Sequence, residues 1–372
     1  MTKPIRDRII FIDLMRALAV ILMVQGHTID TFLADNYRTY DSVFFSAWFT
    51  IRGFTAPIFM FSSGVAFTYL FRLVNLPFDQ NKRVKKGVKR FLILILTGYL
   101  LRYPSHRVVE FSEVSNDQWL TFFTVDALHL IGFGILLVLI LAFIAEKFKL
   151  SDLLVFGIGA AFFFLMWNVT ENINWANYLP IPFAAWLYAG TLSLFPIFPW
   201  SGYVLVGAIL GSYLAKNPGI YLQKKFSAGL MLTGLGFGVA SLIVIFIQAK
   251  AFGYKYYITD NIFVVLMRLS GIFILNGFMS IIAVYIKRIP EIIKLVGQYT
   301  LLIYAIHIII LYGSAWIPGF GMFWPKTLNL TESILAAIAL IILMFLMVHF
   351  IDKNKSILKK KLFPFQSKRS IS

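Results

Sequence analysis

The sequence predicts an all-α membrane protein, a polytopic bundle of about ten transmembrane helices with both ends in the cytoplasm. Three observations predict this fold. Hydrophobic residues make up 59% of the 372 residues and charged residues only 14%, whereas soluble domains carry roughly 25% charged residues. Ten apolar runs are long enough to cross a bilayer. The basic residues between these runs alternate in number as a multi-pass topology requires. We therefore treat residues 1–372 as a single transmembrane domain.

Each predicted span is close to the ~20 mostly apolar residues that a helix needs to cross the hydrocarbon. In chain order the spans are 9–33, 44–71, 87–103, 119–145, 153–167, 200–214, 226–248, 262–286, 295–316 and 334–351. The first run is predicted to be a retained helix and not a signal peptide. It is longer than the roughly 7–15 apolar residues of a signal sequence, and it contains Asp13 and Arg16.

The distribution of basic residues predicts the orientation. Of the 34 lysines and arginines, 25 fall in segments that lie inside if the N-terminus is cytoplasmic, and six fall outside. The remaining three, Arg16, Arg52 and Arg268, lie in the interior of the spans, whereas Lys89, Arg90 and Arg102 lie near the ends of the third span and are counted with the adjoining segments. An excess of basic residues in cytoplasmic loops is the positive-inside rule, so both the orientation and the count of ten are favoured.

Composition also excludes several functions. The chain has no cysteine, which excludes disulfides, cysteine zinc sites, iron–sulfur clusters and thiol nucleophiles. The net charge of +17 is compatible with nucleic-acid binding, but the charges lie in short clusters between apolar runs and are better explained by topology. We therefore expect a lipid bilayer as partner, no nucleic acid and no metal site.

One predicted outside segment, 168–199, has no lysine or arginine and is rich in aromatic residues and proline. This pattern is typical of an interfacial loop with aromatic anchors. The alternative is a lid or acceptor platform that faces the exterior.

Six ionisable side chains fall at similar depth in the outer half of the predicted spans, about six to ten residues from the outer helix ends. They are His27, Arg52, Asp126, His129, Arg268 and His307. Ionisable groups inside a membrane are costly, and each is a functional-site candidate by default. The alternative for a lone histidine is a hydrogen-bonded packing role.

The first span carries a polar stripe. Arg16 and His27 are eleven residues apart, within about 20° of three helical turns, so they share one face. Asp13 precedes Arg16 by three residues, which is close enough to pair. The pair is either a structural ion pair or an anion contact on a cytoplasmic approach. In the second span, Pro57 frees the carbonyl of Gly53, beside Arg52.

These patterns resemble the membrane acyltransferase superfamily, which includes bacterial relatives of heparan-alpha-glucosaminide N-acetyltransferase and the surface-polysaccharide O-acyltransferases. The latter share an Arg-x10-His motif, matched here by Arg16 and His27. Further similarity lies in the segments 53–59, 63–64, 86–90, 125–132, 195–200 and 299–307. The heparan enzyme's proposed acyl-accepting histidine lies before its second helix, whereas residues 40–48 here contain none.

The resemblance implies transfer of an acyl group, here expected to be acetyl, from cytoplasmic acyl-CoA to a hydroxyl or amine. The expected acceptor is an extracytoplasmic or membrane-bound glycan or glycolipid, and the expected location is a bacterial inner membrane. Oligomers are compatible with this assignment. The alternatives are a transporter or flippase of a sugar or lipid-linked substrate, and an inactive sensor or scaffold on the same fold.

We assign candidate catalytic roles to four residues. His27 is the expected general base, since an ordinary histidine pKa of roughly 6.5 suits that task. Arg52 or Arg268 would stabilise the developing oxyanion, and Asp126 would orient a histidine or a sugar hydroxyl.

The candidate donor-binding residues are Asp13, Arg16, Lys86, Arg90, His129 and His307. The basic loop that contains Lys86 and Arg90 would attract polyanionic CoA. Arg16 would guide the donor deeper into the membrane, along the roughly 16 Å that separate it from His27.

Overall fold

The computed structural model describes residues 9–252, 262–286 and 288–355. These residues form an all-α bundle of fourteen helices. The helices are α1 (Ile10–Phe32), α2 (Val43–Arg52), α3 (Thr55–Arg72), α4 (Lys82–Leu101), α5 (Asn116–Phe123), α6 (Ala127–Lys147), α7 (Asp152–Glu171), α8 (Ile181–Leu187), α9 (Ile197–Lys216), α10 (Lys224–Phe252), α11 (Ile262–Tyr285), α12 (Glu291–Gln298), α13 (Thr300–Tyr312) and α14 (Leu330–Lys353).

Every predicted span coincides with helix. The number of helices that are long and apolar enough to cross a membrane, however, differs from the predicted ten. Eight helical stretches of the described residues are long and apolar enough to cross a membrane, and the number is nine when α12 and α13, which meet at a bend of 75°, are counted as one span. The predicted span 87–103 coincides with α4, which does not qualify because six of its first nine residues are basic. The protein is nonetheless an integral membrane protein of the predicted class.

Helix α4 still runs the length of the bundle. Just before it, the Phe78 N–H donates to Glu146 at the end of α6, at 3.0 Å. Just after it, Arg102 lies 3.6 Å from Asp126, which precedes α6. Helix α4 is therefore antiparallel to the whole of α6. We name the two ends of the bundle after their predicted sides: the inner end holds residues 73–81, and the outer end holds residues 102–115 and 313–329.

Three predicted spans are broken helices and not continuous ones. The second is interrupted at Gly53, where the sequence indicates a freed carbonyl, and the ninth at Tyr299. The fourth breaks at 124–126, so Asp126 caps the start of α6 and does not lie within a continuous helix as predicted. Irregular backbone is tolerated at membrane depth where protein satisfies it. Here Ser193 accepts from the Val125 N–H at 3.1 Å.

The centre of the bundle is a very close pairing of α3 with α9. A Cβ atom at Gly64 would overlap the carbonyl oxygen of Val204, and one at Gly207 would overlap that of Phe61. Only glycine permits this approach, as expected for small residues at membrane helix interfaces.

A buried ionic cluster ties three helices at the inner end. Arg72 of α3 donates to the Asp152 carboxylate at 2.6 Å. The Ser212 hydroxyl of α9 also donates to this carboxylate, and the Lys216 ammonium lies 3.4 Å away. Asp152, at the start of α7, is only 5% exposed. Its charge is therefore balanced by groups from α3 and α9.

Candidate active site

A cavity of about 1000 Å³ lies in the outer half of the bundle. Its wall is built from α1, the α2–α3 break, the start of α6, and helices α9, α11 and α13. All four candidate catalytic residues reach it, namely His27, Arg52, Asp126 and Arg268. The similar depths estimated from the sequence thus correspond to one site in three dimensions.

His27 projects into this cavity from α1. Its Nδ1 lies 3.1 Å from the hydroxyl of Tyr312, and its ring centroid lies 5.4 Å from that of His307. No described residue forms a hydrogen bond with Nε2 of His27. The Tyr312 hydroxyl therefore contacts one ring nitrogen of a histidine that lines the cavity.

His307 lies behind His27 and is fully buried. Its Nδ1 is 2.7 Å from the carbonyl oxygen of Ile303. A carbonyl only accepts, so Nδ1 carries the proton and donates. The Nε2 atom of this tautomer is a buried acceptor that no described residue satisfies. His307 supports the ring of His27 and is not on the cavity wall.

Arg52 reaches the cavity at the end of α2, where an acidic residue holds it. Its guanidinium forms an ion pair with Asp30 of α1, and it lies 5.6 Å from the ring centroid of Trp48. A Cβ atom at Gly26 would lie 3.8 Å from Cγ of Arg52. The arginine therefore crosses α1 directly beside His27.

Asp126 is a buried acceptor whose oxygens are already engaged. It caps α6 by accepting from the Leu128 N–H at 2.9 Å, and it contacts Nδ1 of His129 at 2.9 Å. Tyr304 donates to it at 3.3 Å, and Arg102 lies 3.6 Å away. Of its two predicted roles, contact with a histidine is present in the geometry.

His129 lies behind Asp126, away from the cavity wall. Its ring is fully buried, 4.3 Å from the ring of Tyr99 and 6.1 Å from that of Trp186. Trp186 belongs to α8, within the segment 168–199. That segment therefore packs onto the base of the site, in addition to carrying exposed aromatic residues.

Arg268 enters the cavity from α11. Its guanidinium carbon lies 5.0 Å from the ring centroid of Trp200, at the start of α9. One turn further along α11, Gly271 packs against the ring of Phe54, which is part of the α2–α3 break. This contact brings α11 close to the segment that carries Arg52.

The remaining donor-binding candidates lie away from the cavity. Arg16 donates to the Thr300 hydroxyl at 2.7 Å, beside the 75° bend between α12 and α13. Gly297 of α12 packs against the backbone of Asp13, one turn before Arg16. Lys86 and Arg90 are exposed on α4 towards the inner end. The structure therefore separates the predicted residues into an outer cavity and an inner group.

One comparison with known families identifies the chain. The sequence model of a family described as "Acyltransferase domain" matches residues 9–349. The chain belongs to this acyltransferase family. No curated protein matches it. The match extends over the cavity, the bend beside Arg16 and the basic start of α4, so the acyltransferase domain includes every candidate residue.

Sequence reasoning missed several side chains in and around this cavity. Tyr304 and Tyr312 line it, but tyrosine is unremarkable in an apolar helix. Arg102 also lines it, although the topology argument counted it with the outside segments. Asp30 holds Arg52 and stands three residues after His27 within the first predicted span. Because Asp30 lies at a depth similar to that of Arg52, the sequence could have predicted that the two pair.

Proposed function

We propose that the protein transfers an acetyl group from cytoplasmic acetyl-CoA to a hydroxyl or amine of an extracytoplasmic or membrane-bound glycan or glycolipid. The single observation that carries this proposal is the cavity into which His27, Arg52 and Arg268 converge, in a chain of an acyltransferase family. The resemblance to heparan-type and surface-polysaccharide acyltransferases supports a sugar acceptor and a bacterial inner membrane.

In the proposed reaction, Nε2 of His27 accepts the proton of the acceptor hydroxyl or amine. The acceptor oxygen or nitrogen then bonds to the thioester carbonyl carbon. When the tetrahedral intermediate collapses, the carbon–sulfur bond breaks and the imidazolium returns the proton to the CoA sulfur. The Tyr312 hydroxyl near Nδ1 supports this assignment, because a partner at one ring nitrogen orients the other.

Arg52 is the better candidate for stabilising the oxyanion of that intermediate. Its side chain passes beside His27, and Asp30 holds the guanidinium in place. Preorganised charge in a site with little water contributes strongly to such transition states. These contacts favour Arg52 over Arg268 for this role, and the sequence left that choice open.

For the donor we propose entry from the inner end. The exposed Lys86 and Arg90 provide positive charge there, which attracts the CoA phosphates. Arg16 lies on the His27 face of α1, roughly 16 Å away along the axis, beside the bend at Tyr299. The long pantetheine arm suits that separation. Membership of an acyltransferase family favours this chemistry over the transporter or flippase alternative.

The test is donor binding to purified protein in detergent, followed by acetyl transfer. We expect acetyl-CoA to raise the melting temperature of wild type and of His27→Ala, and to do so less for Arg16→Ala. Radiolabelled acetyl groups should pass from acetyl-CoA to host membrane glycans with wild type alone. If no acyl-CoA stabilises any of the three folded proteins, the proposal is wrong.

A further inference from the structure

The three arginines on the cavity wall differ in their counter-charges. Arg52 pairs with Asp30, and Arg102 lies 3.6 Å from Asp126. Arg268 has no carboxylate of the described residues within 4.0 Å, the distance that defines an ion pair. Asp117 also reaches the cavity, but it is an exposed residue of the mouth. Among the residues that the structure describes, Arg268 is thus the cavity arginine without a partner of opposite charge.

An unbalanced charge at this depth is costly and marks a functional position. The Trp200 ring lies 5.0 Å from the guanidinium carbon and provides cation–π attraction. An aromatic contact of this kind engages the plane of the guanidinium. The Tyr203 hydroxyl of α9 also interacts with Arg268, and since a guanidinium has five N–H donors, one hydroxyl leaves others for a ligand. Those donors match the oxygens of a carboxylate or a phosphate in a two-pronged contact. The site therefore has the chemistry of an anion receptor.

The phosphates of the CoA donor do not suit this receptor. On the proposed route the donor approaches along the Arg16 face of α1, so its phosphates stay on the inner side while its thioester is at His27. Arg268 instead opens to the cavity from α11, together with the Trp200 face. The anion that it receives therefore belongs to the acceptor.

We infer that the acceptor carries a carboxylate or phosphate group, and that Arg268 binds this group with its face held by Trp200. This inference rests on the proposed acyl transfer and narrows its substrate class to anionic glycans or glycolipids. Trp200 acts as a positioning residue for Arg268.

The experiment uses purified full-length protein, radiolabelled acetyl-CoA and membrane glycans extracted from the native host, separated by anion exchange into charged and neutral fractions. We compare wild type with Arg268→Gln and Arg268→Lys. Arg107→Gln is the matched control, because Arg107 is an exposed outer-end arginine paired with Glu110 and outside the cavity.

We expect label in the charged fraction with wild type and Arg107→Gln. Arg268→Gln should raise the KM for that fraction by roughly tenfold or more, the loss expected for a charged hydrogen-bonded contact. Arg268→Lys should recover part of the loss, since it keeps the charge. Mild acid, which cleaves lipid phosphate linkages, then assigns the anion. Label that becomes neutral indicates a carrier phosphate, and label that stays anionic indicates a carboxylate or phosphate on the glycan itself.

Two results overturn the inference while leaving acyl transfer intact: label in the neutral fraction, or an unchanged KM in Arg268→Gln. A third result, no label in any fraction with folded wild-type protein, overturns the proposed function itself. The failure of the inference and the failure of the function are thus distinguishable.

Discussion

The guanidinium of Arg52 forms an ion pair with the carboxylate of Asp30, which lies three residues after His27 on α1. This pair joins the broken second span to the first and sets the arginine beside the candidate base. Because Arg38 also lies within 3.8 Å of Asp30, the carboxylate is shared between two cations at the outer end of α1.

We expect Asp30→Asn to reduce kcat, because Arg52 loses the charge that holds it at the oxyanion position. A loss of about tenfold to a hundredfold fits the removal of one support of an oxyanion contact. The measurement is a double-mutant cycle of acetyl transfer with Arg52→Gln. Asp30→Asn should cost much less in the Arg52→Gln background than in wild type. Additive losses would show that Asp30 acts independently of Arg52.

His27→Ala should abolish acetyl transfer, with a loss of at least about a hundredfold, because general-base catalysis contributes roughly that much. Tyr312→Phe should cause a smaller loss, since it removes the contact at Nδ1 and keeps the base. His349→Ala is the control, because His349 is an exposed histidine of α14. Transfer rates are compared at equal amounts of folded protein. Normal transfer by His27→Ala would refute its role.

Asp152→Ala should lower stability by about 3 kcal/mol or more, because it leaves the cation of Arg72 without its buried partner. The control is Glu291→Gln, which removes an exposed pair with Lys294 and should cost less than ~1 kcal/mol. Thermal unfolding in detergent measures both. Equal melting temperatures for the two variants would contradict a structural role for the inner cluster.

Gly64→Ala should destabilise the bundle strongly, because the new methyl group overlaps the Val204 carbonyl and pushes α3 away from α9. Gly229→Ala is the matched control. A Cβ atom there meets nothing within 4 Å, so the change should be neutral or stabilising by up to ~1 kcal/mol. The two melting temperatures are compared in the same detergent. A stable Gly64→Ala protein would mean that the helix pair has room to separate.

The sequence was sufficient for the class of fold and for grouping the four residues that line the cavity. The transfer of a helix into lipid depends on the summed hydrophobicity of about 20 consecutive residues. The membrane spans can therefore be identified directly along the sequence. Depth follows from the rise per residue, and for this reason His27, Arg52, Asp126 and Arg268 were grouped before any contact was known. The span 87–103 was also predicted and coincides with α4, although the charged start of α4 keeps this helix outside the length and composition criteria for a span.

Tertiary structure alone decided which of these side chains meet. The break before α6 depends on Ser193, which is 68 residues away along the chain, and the pairs of Arg52 with Asp30 and of Arg102 with Asp126 depend on how each helix is rotated about its axis. A hydrophobic pattern specifies depth but only weakly specifies rotation, because lipid and protein interior are similarly apolar. The rotation of each helix is set by close packing, such as that of Gly64 on α9. In the resulting arrangement, Arg268 is the cavity arginine that no carboxylate of the described residues pairs with.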